Sequence, residues 1–306
     1  MISPSQVQYI LALKEYQSFQ KAANACFITQ PTLSMQIKKA EDVLGRPLFD
    51  RSKSPIELTS FGKYLLPTLI QIDDSYASLD IQLKKLKGTY KAEIKLGIIP
   101  TIAAYLIPSF YSEWQKELGD IKLDIIELKS EALIEAIEER KVDFGIMAGP
   151  LNTKNISENI LYNEEILVYA PSIKNKEITT ATLAKLKPWL LAEGNCLRTQ
   201  MVNFCNLKNN DPKEWSYEGS SIPILLEMVK KFGGYTLVPY HFMEFCTLPK
   251  EDFHRVGNQT PVRQIIGIYH DKNAKEDYLK TMIRQIQRKK GGESKPFEYA
   301  NLLAWR

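Results

Sequence analysis

The first 58 residues carry apolar side chains at the spacing of short amphipathic helices. In the segment VQYILALKEY, Val7, Ile10 and Leu11 share one helical face, and the segment SFQKAANACF repeats this type of pattern. A third helix is predicted in QPTLSMQIKKAEDVLG, because Thr29 can cap its start and Gly45 can end it. The pattern therefore predicts three helices around a small apolar core.

The third predicted helix has an apolar face and a polar face. Its apolar stripe consists of Leu33, Ile37, Ala40 and Leu44. A different face carries amide, hydroxyl and ammonium groups, which can read base edges and phosphates in the major groove of DNA. An ordinary solvated face is the alternative. The residues that we expect to contact DNA from this helix are Gln30, Pro31, Thr32, Ser34 and Lys38.

A short two-stranded wing is predicted directly after the third helix. The segment RPLFDRSKSPIELT has the composition of two short strands joined by a turn, and it contains Arg51 and Lys53. Because these basic side chains follow the third helix closely, we expect them to contact the phosphate backbone.

A long helix with one apolar seam is predicted next, over residues 59–88. Its apolar residues recur at alternating steps of three and four, which is the a/d pattern of a coiled coil. A single helix cannot bury such a seam, so a second copy of the chain is the expected partner. The seam consists of Leu69, Ile72, Tyr76, Leu79, Leu83 and Leu86.

The rest of the chain alternates between apolar runs of strand length and amphipathic helices. AEIKLGIIP, KLDIIEL and VDFGIMAG predict strands, with a helix in ALIEAIEERK, which is the order of βαβ units on a parallel sheet. A second group follows, with strands predicted in EEILVYAPS, PWLLAE and YTLVP and a helix in IPILLEMVKKFGG, and QIIGIYH predicts a strand that returns to the first group. Two such lobes normally bind a ligand in the cleft between them. The tail KGGESKPFEYANLLAWR has no predicted function.

Composition and charge narrow the class of protein. The chain has 306 residues, which is too many for one ordinary core, and 44% of them are hydrophobic, with a net charge of +4. No window is apolar enough to cross a bilayer, and the first residues lack the pattern of a signal peptide, so we expect a cytoplasmic protein without membrane contact. The three histidines and four cysteines never fall at metal-ligand spacing, so neither a metal nor a cofactor is expected.

Two cysteines, Cys196 and Cys205, stand nine positions apart in GNCLRTQMVNFC. Asn195 can cap a helix that begins at Cys196, and the positive end of the helix dipole together with Arg198 would favour a thiolate there. A continuous helix would separate the two cysteines by about 13 Å at ~1.5 Å per residue, whereas a disulfide requires Cα atoms within about 7 Å. The residues alone leave open whether these thiols are core filler or a redox pair.

The run from Ser18 to Gly62 resembles the winged helix-turn-helix of LysR-type transcriptional regulators, in its TQPTLS entry to the third helix and its LGRPLFDR turn into the wing. The resemblance extends over the whole chain. It implies that promoter DNA and RNA polymerase are partners, and that the chain forms homodimers that assemble into homotetramers. It also implies a winged helix-turn-helix domain at 1–58, a linker and dimerisation helix at 59–88, and an α/β two-lobed, periplasmic-binding-protein-like effector domain at 91–306, with subdomain I at 91–163 plus 264–290 and subdomain II at 164–263.

The cysteine segment resembles the redox segment of the hydrogen-peroxide-sensing branch of this family, in its cysteine spacing, its Leu-Arg after the first cysteine and its Phe-Cys ending. This resemblance implies that Cys196 reacts with peroxide and that Cys205 resolves the product into a reversible disulfide, which changes the quaternary arrangement and activates antioxidant genes. Asn195 stands where that branch often has histidine, so proton transfer by this side chain is not implied. The residues implied to form the peroxide pocket are Thr101, Ser130, Asn195 and Arg198.

Three hypotheses for the function follow. The favoured one is a transcription factor that responds to hydrogen peroxide. The alternative is a LysR-type regulator that binds a small metabolite in the cleft between the lobes, with cysteines that only pack. A thiol peroxidase that uses Cys196 for turnover is the third. A dedicated DNA-binding domain and a coiled-coil linker would not serve catalysis, so we expect the protein not to be an enzyme.

Overall fold

In a computed structural model, the polypeptide folds as two units, Met1–Tyr90 and Lys91–Arg306. No helix within the described part of the chain is long and apolar enough to span a membrane. In the same part, no group of three or more His, Cys, Asp or Glu side chains is arranged to hold a metal ion. The residues that the structure describes are 1–87, 93–119, 121–151, 153–174, 178–205, 207, 219–257, 261–271, 273, 275–291 and 301–303.

The first unit is a helical domain with a two-stranded wing, which confirms the predicted winged helix-turn-helix architecture. Val7 and Ile10 lie in its core as predicted, together with Leu13, whereas Leu11 is half-buried. The two wing strands are antiparallel, with Phe49 opposite Leu58. The elements are α1 (Pro4–Tyr16), α2 (Phe19–Ala25), α3 (Gln30–Leu44), β1 (Phe49–Asp50), β2 (Glu57–Leu58) and α4 (Ser60–Leu86).

Capping interactions fix the two ends of α3, as the sequence predicts. The side chain of Thr29 accepts a hydrogen bond from the backbone N–H of Thr32 at 3.4 Å, and Pro31 occupies the first turn, where its missing N–H costs nothing. Gly45 ends the helix at φ 74°, a left-handed conformation that glycine adopts without steric cost. These two caps set the residues at which α3 begins and ends.

The buried carboxylate of Glu41 joins α3 to the wing. Its Oε1 accepts hydrogen bonds from the backbone N–H groups of Leu48 and Phe49 at 2.8 and 3.3 Å, and its Oε2 accepts one from Arg51 at 2.8 Å. Hydrogen bonds to an ionised acceptor are stronger than those between neutral groups. The wing is therefore held to the helix by polar contacts as well as by apolar packing.

The second unit contains a mixed sheet covered by helices. The strands are β3 (Glu93–Ile98), β4 (Lys122–Glu127), β5 (Phe144–Gly149), β6 (Ile156–Tyr169), β7 (Thr236–Pro239), β8 (Phe253–His254), β9 (Pro261–His270) and β10 (Asn301–Leu302). The strand order is β4-β3-β5-β9-β6-β7, with parallel pairing among β3, β4 and β5 and antiparallel pairing from β5 through β9 and β6 to β7.

Seven α-helices are described in this unit, and together with the sheet they confirm the predicted two-lobed α/β fold. The α-helices are α5 (Pro100–Glu117), α6 (Ser130–Glu138), α7 (Thr180–Leu183), α8 (Cys196–Phe204), α9 (Ile222–Phe232), α10 (Tyr240–Phe245) and α11 (Glu276–Lys290). Helix α6 lies between β4 and β5 in the chain, as the βαβ pattern predicts.

The strands β6 and β9 connect the two lobes. Residues 156–165 of β6 pair with β9, and residues 166–169 pair with β7. The sequence predicted a strand that starts only at Glu164, because the preceding SENILYN mixes polar and apolar residues, but β6 begins at Ile156 and runs for 14 residues. Residues PWLLAE are also not a strand. Pro188 forms only an isolated bridge, since proline has no N–H to donate to a ladder.

The described part of the C-terminal tail adds a strand to the sheet. Strand β10 runs parallel to β9, and the backbone N–H of Leu303 donates to the carbonyl of Val262 at 2.8 Å. The side chain of Leu303 is buried in the core, and its carbonyl accepts a hydrogen bond from Nε2 of Gln200 at 3.1 Å. Gln200 lies on α8, so this tail strand contacts the helix that begins at Cys196.

Replacing Glu41 by alanine is expected to loosen the wing. Two buried backbone N–H groups and Arg51 would lose their acceptor, and a buried donor without a partner costs roughly 1 to 3 kcal/mol. We expect faster amide hydrogen exchange in α3 and in the wing of the full-length protein. Glu57→Ala is the matched control, because it removes an exposed carboxylate that pairs with Lys53. Equal exchange rates in the two variants would contradict this role of Glu41.

Candidate functional site

Four of the predicted DNA-contacting residues of α3, Gln30, Pro31, Ser34 and Lys38, lie within about 100° of one another at ~100° per residue, whereas Thr32 lies on another side of the helix. Pro31 and Lys38 are exposed, and Gln30 and Ser34 are half-buried, so all four are open to a ligand. Thr32 differs from the others, because its hydroxyl is 2.8 Å from the hydroxyl of Thr29 and is thus partly used for capping. The structure therefore brings Gln30, Pro31, Ser34 and Lys38 together, and the exposed Lys38 supplies the positive charge of this set.

The two basic residues of the wing are paired with carboxylates. Arg51 donates to Glu41 at 2.8 Å and stacks over the ring of Phe19, 5.4 Å from its centroid. Lys53 lies 2.5 Å from Glu57 on the exposed surface. To contact a phosphate, Lys53 would have to give up only an exposed ion pair with Glu57, and such pairs contribute little to stability. Arg51 would have to give up its contact with Glu41, which holds the wing to α3. Lys53 is thus the freer of the two to bind DNA.

An apolar stripe lies exposed along α4. Tyr76, Leu79 and Leu83 are each exposed by about half, and Leu86 is 84% exposed. Leu69 was predicted to belong to this seam, but it is only 4% exposed and packs into the core of its own unit. The heptad spacing did not distinguish the part of the helix that lies over the core from the part that extends beyond it. The exposed stripe begins at Ile72.

The thiol of Cys196 lies in a buried pocket formed by four elements. Cys196 is the first residue of α8, Thr101 lies in the first turn of α5, and Ser130 is the first residue of α6. Strand β9 contributes the guanidinium of Arg263. All four residues are buried. Two of the predicted pocket residues, Thr101 and Ser130, are therefore beside the sulfur.

Opposing effects act on the ionisation of Cys196. Burial raises the pKa of its thiol above the ordinary value. The positive charge of Arg263, the hydroxyl groups of Ser130 and Thr101 and the backbone N–H of Leu197 lower the pKa, but burial is the larger effect. The sequence predicted that the helix end would favour a thiolate, but the net effect of the buried site is to favour the neutral thiol.

The two neighbours named from the sequence act differently from the expectation. Arg198 was expected to supply positive charge to Cys196, but its guanidinium donates to the carbonyl of Leu191 at 2.8 Å. Asn195 occupies the N-cap position without making a side-chain capping bond. Its amide donates instead to the carbonyl of Ala192 at 2.8 Å and to the hydroxyl of Ser220 at 3.2 Å.

Arg263 lies in the Cys196 pocket, although the sequence did not predict it there. Its Nη1 donates to Oγ1 of Thr101 at 3.1 Å, and its Nε donates to the carboxylate of Glu164 at 2.9 Å. The sequence does contain a signal, because an arginine in an apolar run such as PVRQIIGIY must be paired if the strand is buried. What the run does not show is that its partner is Glu164 or that its charge reaches a cysteine.

The second thiol, Cys205, lies at the opposite end of α8. It is the C-cap residue of that helix and is buried, and burial raises the pKa of its thiol while the hydroxyl of Tyr235 lowers it. All four cysteines are free thiols. The nine residues of α8 form a continuous helix between Cys196 and Cys205, so a bond between them requires this helix to change.

A cleft with a volume of about 360 Å³ lies between the ends of α5 and α9. Its wall includes Pro100 and Ala104 from α5 and Phe242 from α10. Ser220, which accepts the hydrogen bond from Asn195, also lines it. The cleft is therefore adjacent to the segment that carries Cys196.

Models of two protein-family domains match most of the chain. Residues 4–63 match the bacterial regulatory helix-turn-helix protein, lysR family, and residues 87–290 match the LysR substrate binding domain. The first match covers α1 to the start of α4, and the second covers the unit that contains Cys196 as far as residue 290.

Similar proteins include two curated regulators. The HTH-type transcriptional regulator EstR of Acinetobacter baylyi is 29% identical over 239 residues, which are 76% of this chain and 78% of EstR. The DNA-binding transcriptional dual regulator OxyR of Escherichia coli K12 is 28% identical over 237 residues, 76% of this chain and 77% of OxyR. Among solved structures, full-length Pseudomonas aeruginosa OxyR with a cysteine-to-aspartate substitution has a TM-score of 0.76 at 23% identity, and covers 94% of this chain and 95% of its own.

Replacing Leu79 by aspartate is expected to weaken self-association. The substitution places a charge in the middle of the exposed stripe of α4, where a second copy would have to bury it. Sedimentation at micromolar concentration should show a larger monomer fraction with unchanged circular dichroism. The control is Ala77→Asp, two positions away and thus about 200° round the helix at ~100° per residue. If Leu79→Asp and Ala77→Asp associate equally well, the stripe is not the contact.

Proposed function

Because the chain belongs to the LysR family of bacterial transcriptional regulators and resembles OxyR, we propose that it senses hydrogen peroxide through Cys196 and Cys205 and regulates promoters in response. The observation that carries this proposal is the pocket at Cys196. The buried thiol there is surrounded by a guanidinium and two hydroxyl groups, whereas a cysteine that only fills the core needs no polar neighbours. The local resemblance of GNCLRTQMVNFC to the peroxide-sensing branch supports the same assignment.

In the proposed first step, the Cys196 thiolate attacks one oxygen of peroxide. The S–O bond forms as the O–O bond breaks, and hydroxide leaves and takes up a proton to become water. The hydroxyl of Ser130 is buried and makes no other hydrogen bond of normal geometry to a described residue, so it is available to the thiolate or to the peroxide. The proton on Thr101 is equally available, since its oxygen already accepts from Arg263.

In the proposed second step, the Cys205 thiolate attacks the sulfur of the sulfenic acid at Cys196. A disulfide forms and a second hydroxide leaves, so one peroxide and two thiols give one disulfide and two waters. Helix α8 must unwind for the sulfurs to meet, which removes Leu197, Met201 and Phe204 from their buried positions. It also breaks the hydrogen bond from Gln200 to the tail.

The proposed output is a change in quaternary structure. Repacking of α8 alters the surface of the second lobe, which changes how effector domains pair and how far apart their DNA-binding units lie. The proposed assembly is a homodimer through the stripe of α4, with two dimers forming a homotetramer on promoter DNA. Contact with RNA polymerase, activation of antioxidant genes and a cytoplasmic location complete the proposal.

A second candidate function is regulation by a small metabolite. The cleft of about 360 Å³ beside Asn195 favours it, because this is the size of a small-ligand site. Under this alternative, Cys196 and Cys205 are packing residues and peroxide has no specific effect on DNA binding. Intact mass before and after peroxide separates the two, since only the sensor loses two hydrogens at Cys196 and Cys205.

Replacing Gln30 by alanine is expected to reduce sequence discrimination. Gln30 lies at the amino end of α3, where such helices contact base edges, so its loss should cost roughly 1 to 3 kcal/mol at the specific site and little on random DNA. Lys53→Ala is the contrasting variant. It should weaken binding to all sequences alike and reduce the salt dependence. Equal losses for Gln30→Ala on specific and random duplexes would remove it from the base-reading set.

The two cysteines are expected to give different single mutants. Cys205→Ser should react once with peroxide and stop at a sulfenic acid, whereas Cys196→Ser should lose the fast reaction, because only Cys196 lies beside Arg263. Rates of peroxide consumption and peptide mapping by mass spectrometry measure this difference. Cys246→Ser is the control, since Cys246 lies on a different element. Equal rates in the two key mutants would refute the assignment of roles.

The proposed switch has a separate test on DNA. Oxidised and reduced wild-type protein should give footprints of different length or register, together with faster hydrogen exchange over α8 and strand β10 after oxidation. A fully formed disulfide with an unchanged footprint would refute the switch and retain the redox pair.

A further inference from the structure

We propose that Glu164 is a positioning residue for the reaction of Cys196 with peroxide, because its carboxylate, shared between Arg263 and Tyr105, sets how much of the arginine's positive charge acts on the sulfur. This inference rests on the proposed role of Cys196. It assigns a role in that chemistry to a buried glutamate that does not touch the thiol.

The geometry of Glu164 is that of a fully engaged buried carboxylate. It lies on β6 directly opposite Arg263 on β9, and its Oε2 accepts from Nε of Arg263 at 2.9 Å and from the hydroxyl of Tyr105 at 2.9 Å. Its Oε1 accepts from the backbone N–H of His241 at 3.4 Å. Both members of the ion pair have fully buried side chains, so solvent does not screen the interaction.

A line of hydrogen bonds connects this carboxylate to the sulfur. Tyr162 and Tyr105 have their hydroxyl oxygens 2.9 Å apart, and Tyr105 donates its only proton to Glu164. Arg263 then bridges Glu164 and Thr101, donating to Oγ1 of Thr101 at 3.1 Å and to its carbonyl at 3.3 Å. Thr101 is adjacent to the thiol. Electrostatic changes at Glu164 are therefore transmitted to Cys196 through Arg263.

The carboxylate has two opposing consequences for the site. It compensates the charge of Arg263, without which burying a guanidinium would be costly. It also neutralises part of the positive potential that stabilises a thiolate at Cys196. Tyr105 moderates the second effect, because a hydrogen bond to Oε2 draws negative charge away from the arginine. Glu164 and Tyr105 should therefore act on Cys196 in opposite directions.

Among the groups with the largest effects on the Cys196 thiol, Arg263 is the charged one. The groups that act on the thiol from neighbouring elements are Arg263 on β9, Ser130 on α6, Thr101 on α5 and the backbone N–H of Leu197 on its own helix. Arg198, also on that helix, donates to a backbone carbonyl. The pKa of Cys196 is thus governed by burial and then by the charge that remains on Arg263.

The test measures the pH dependence of the first step in the full-length protein with Cys205→Ser, which stops the reaction at the sulfenic acid. Formation of the sulfenic acid at Cys196 is followed by trapping with dimedone and peptide mapping. The pKa of Cys196 is measured independently by its rate of alkylation with iodoacetamide, a readout that needs no peroxide. The variants are Glu164→Gln, which keeps an acceptor without the charge, and Tyr105→Phe.

Glu164→Gln is expected to lower the pKa of Cys196 by on the order of one unit, because it removes the negative charge that compensates Arg263 in a buried network, where charges are poorly screened. The first step at neutral pH should become about threefold faster, since a roughly tenfold rise in thiolate is partly cancelled by its lower nucleophilicity. Tyr105→Phe should shift the profile upward by a smaller amount and slow the step.

Glu165→Gln is the matched control. It removes the next carboxylate of β6, which pairs with Arg255 at 2.7 Å, and neighbouring side chains of a strand point to opposite faces. Its pH profile should equal that of the parent.

Shifts of Glu164→Gln and Tyr105→Phe in the same direction, or no shift in either, would overturn the role of Glu164. If Glu164→Gln fails to fold by circular dichroism, the upward shift in Tyr105→Phe decides alone, and its absence refutes the proposal. A parent protein whose Cys196 forms no sulfenic acid would instead refute the peroxide-sensing function, while the alkylation profiles would still report the effect of Glu164.

Discussion

The buried ion pair between Arg263 and Glu164 connects the parts of the effector unit that matter for its chemistry. The two residues lie opposite each other on β9 and β6, the strands that link the two lobes. Arg263 also donates to Thr101 at the start of α5, so a single guanidinium joins the sheet, a helix and the thiol pocket. A buried charge must be compensated, and this requirement fixes both strands relative to α5.

The fold keeps the free thiols of Cys196 and Cys205 apart and buried. Burial raises the pKa of each thiol, and an unbroken helix separates the two sulfurs. These two constraints have the same origin, which is the packing of α8 against the core of the second lobe. In the proposed disulfide mechanism, loosening of α8 would expose the thiols to solvent and also bring them closer together. The tail strand, through Gln200, is one of the contacts that hold α8 in place.

The DNA-binding unit uses the same principle on a smaller scale. The buried carboxylate of Glu41 accepts from two backbone N–H groups of the wing and from Arg51, and it holds the wing beside α3. Arg51, whose charge predicts a phosphate contact, thus also holds the wing to α3. Lys53 holds no other element in place, because its pair with Glu57 lies on the exposed surface of the wing. Two positive charges in the wing therefore contribute differently to its stability.

The sequence by itself determined the local structure. Thr29 and Gly45 mark the ends of α3 because capping depends on the residues at the helix ends, and the apolar periodicity gives the helices and most strands. Asn195 likewise predicted the start of α8 at Cys196. Only the tertiary structure decided that Leu69 is buried in its own unit, that β6 is a single strand, and that Arg263 rather than Arg198 lies beside Cys196. Arg263 is 67 positions from Cys196, and such contacts follow from the order of strands in the sheet, which no local pattern specifies.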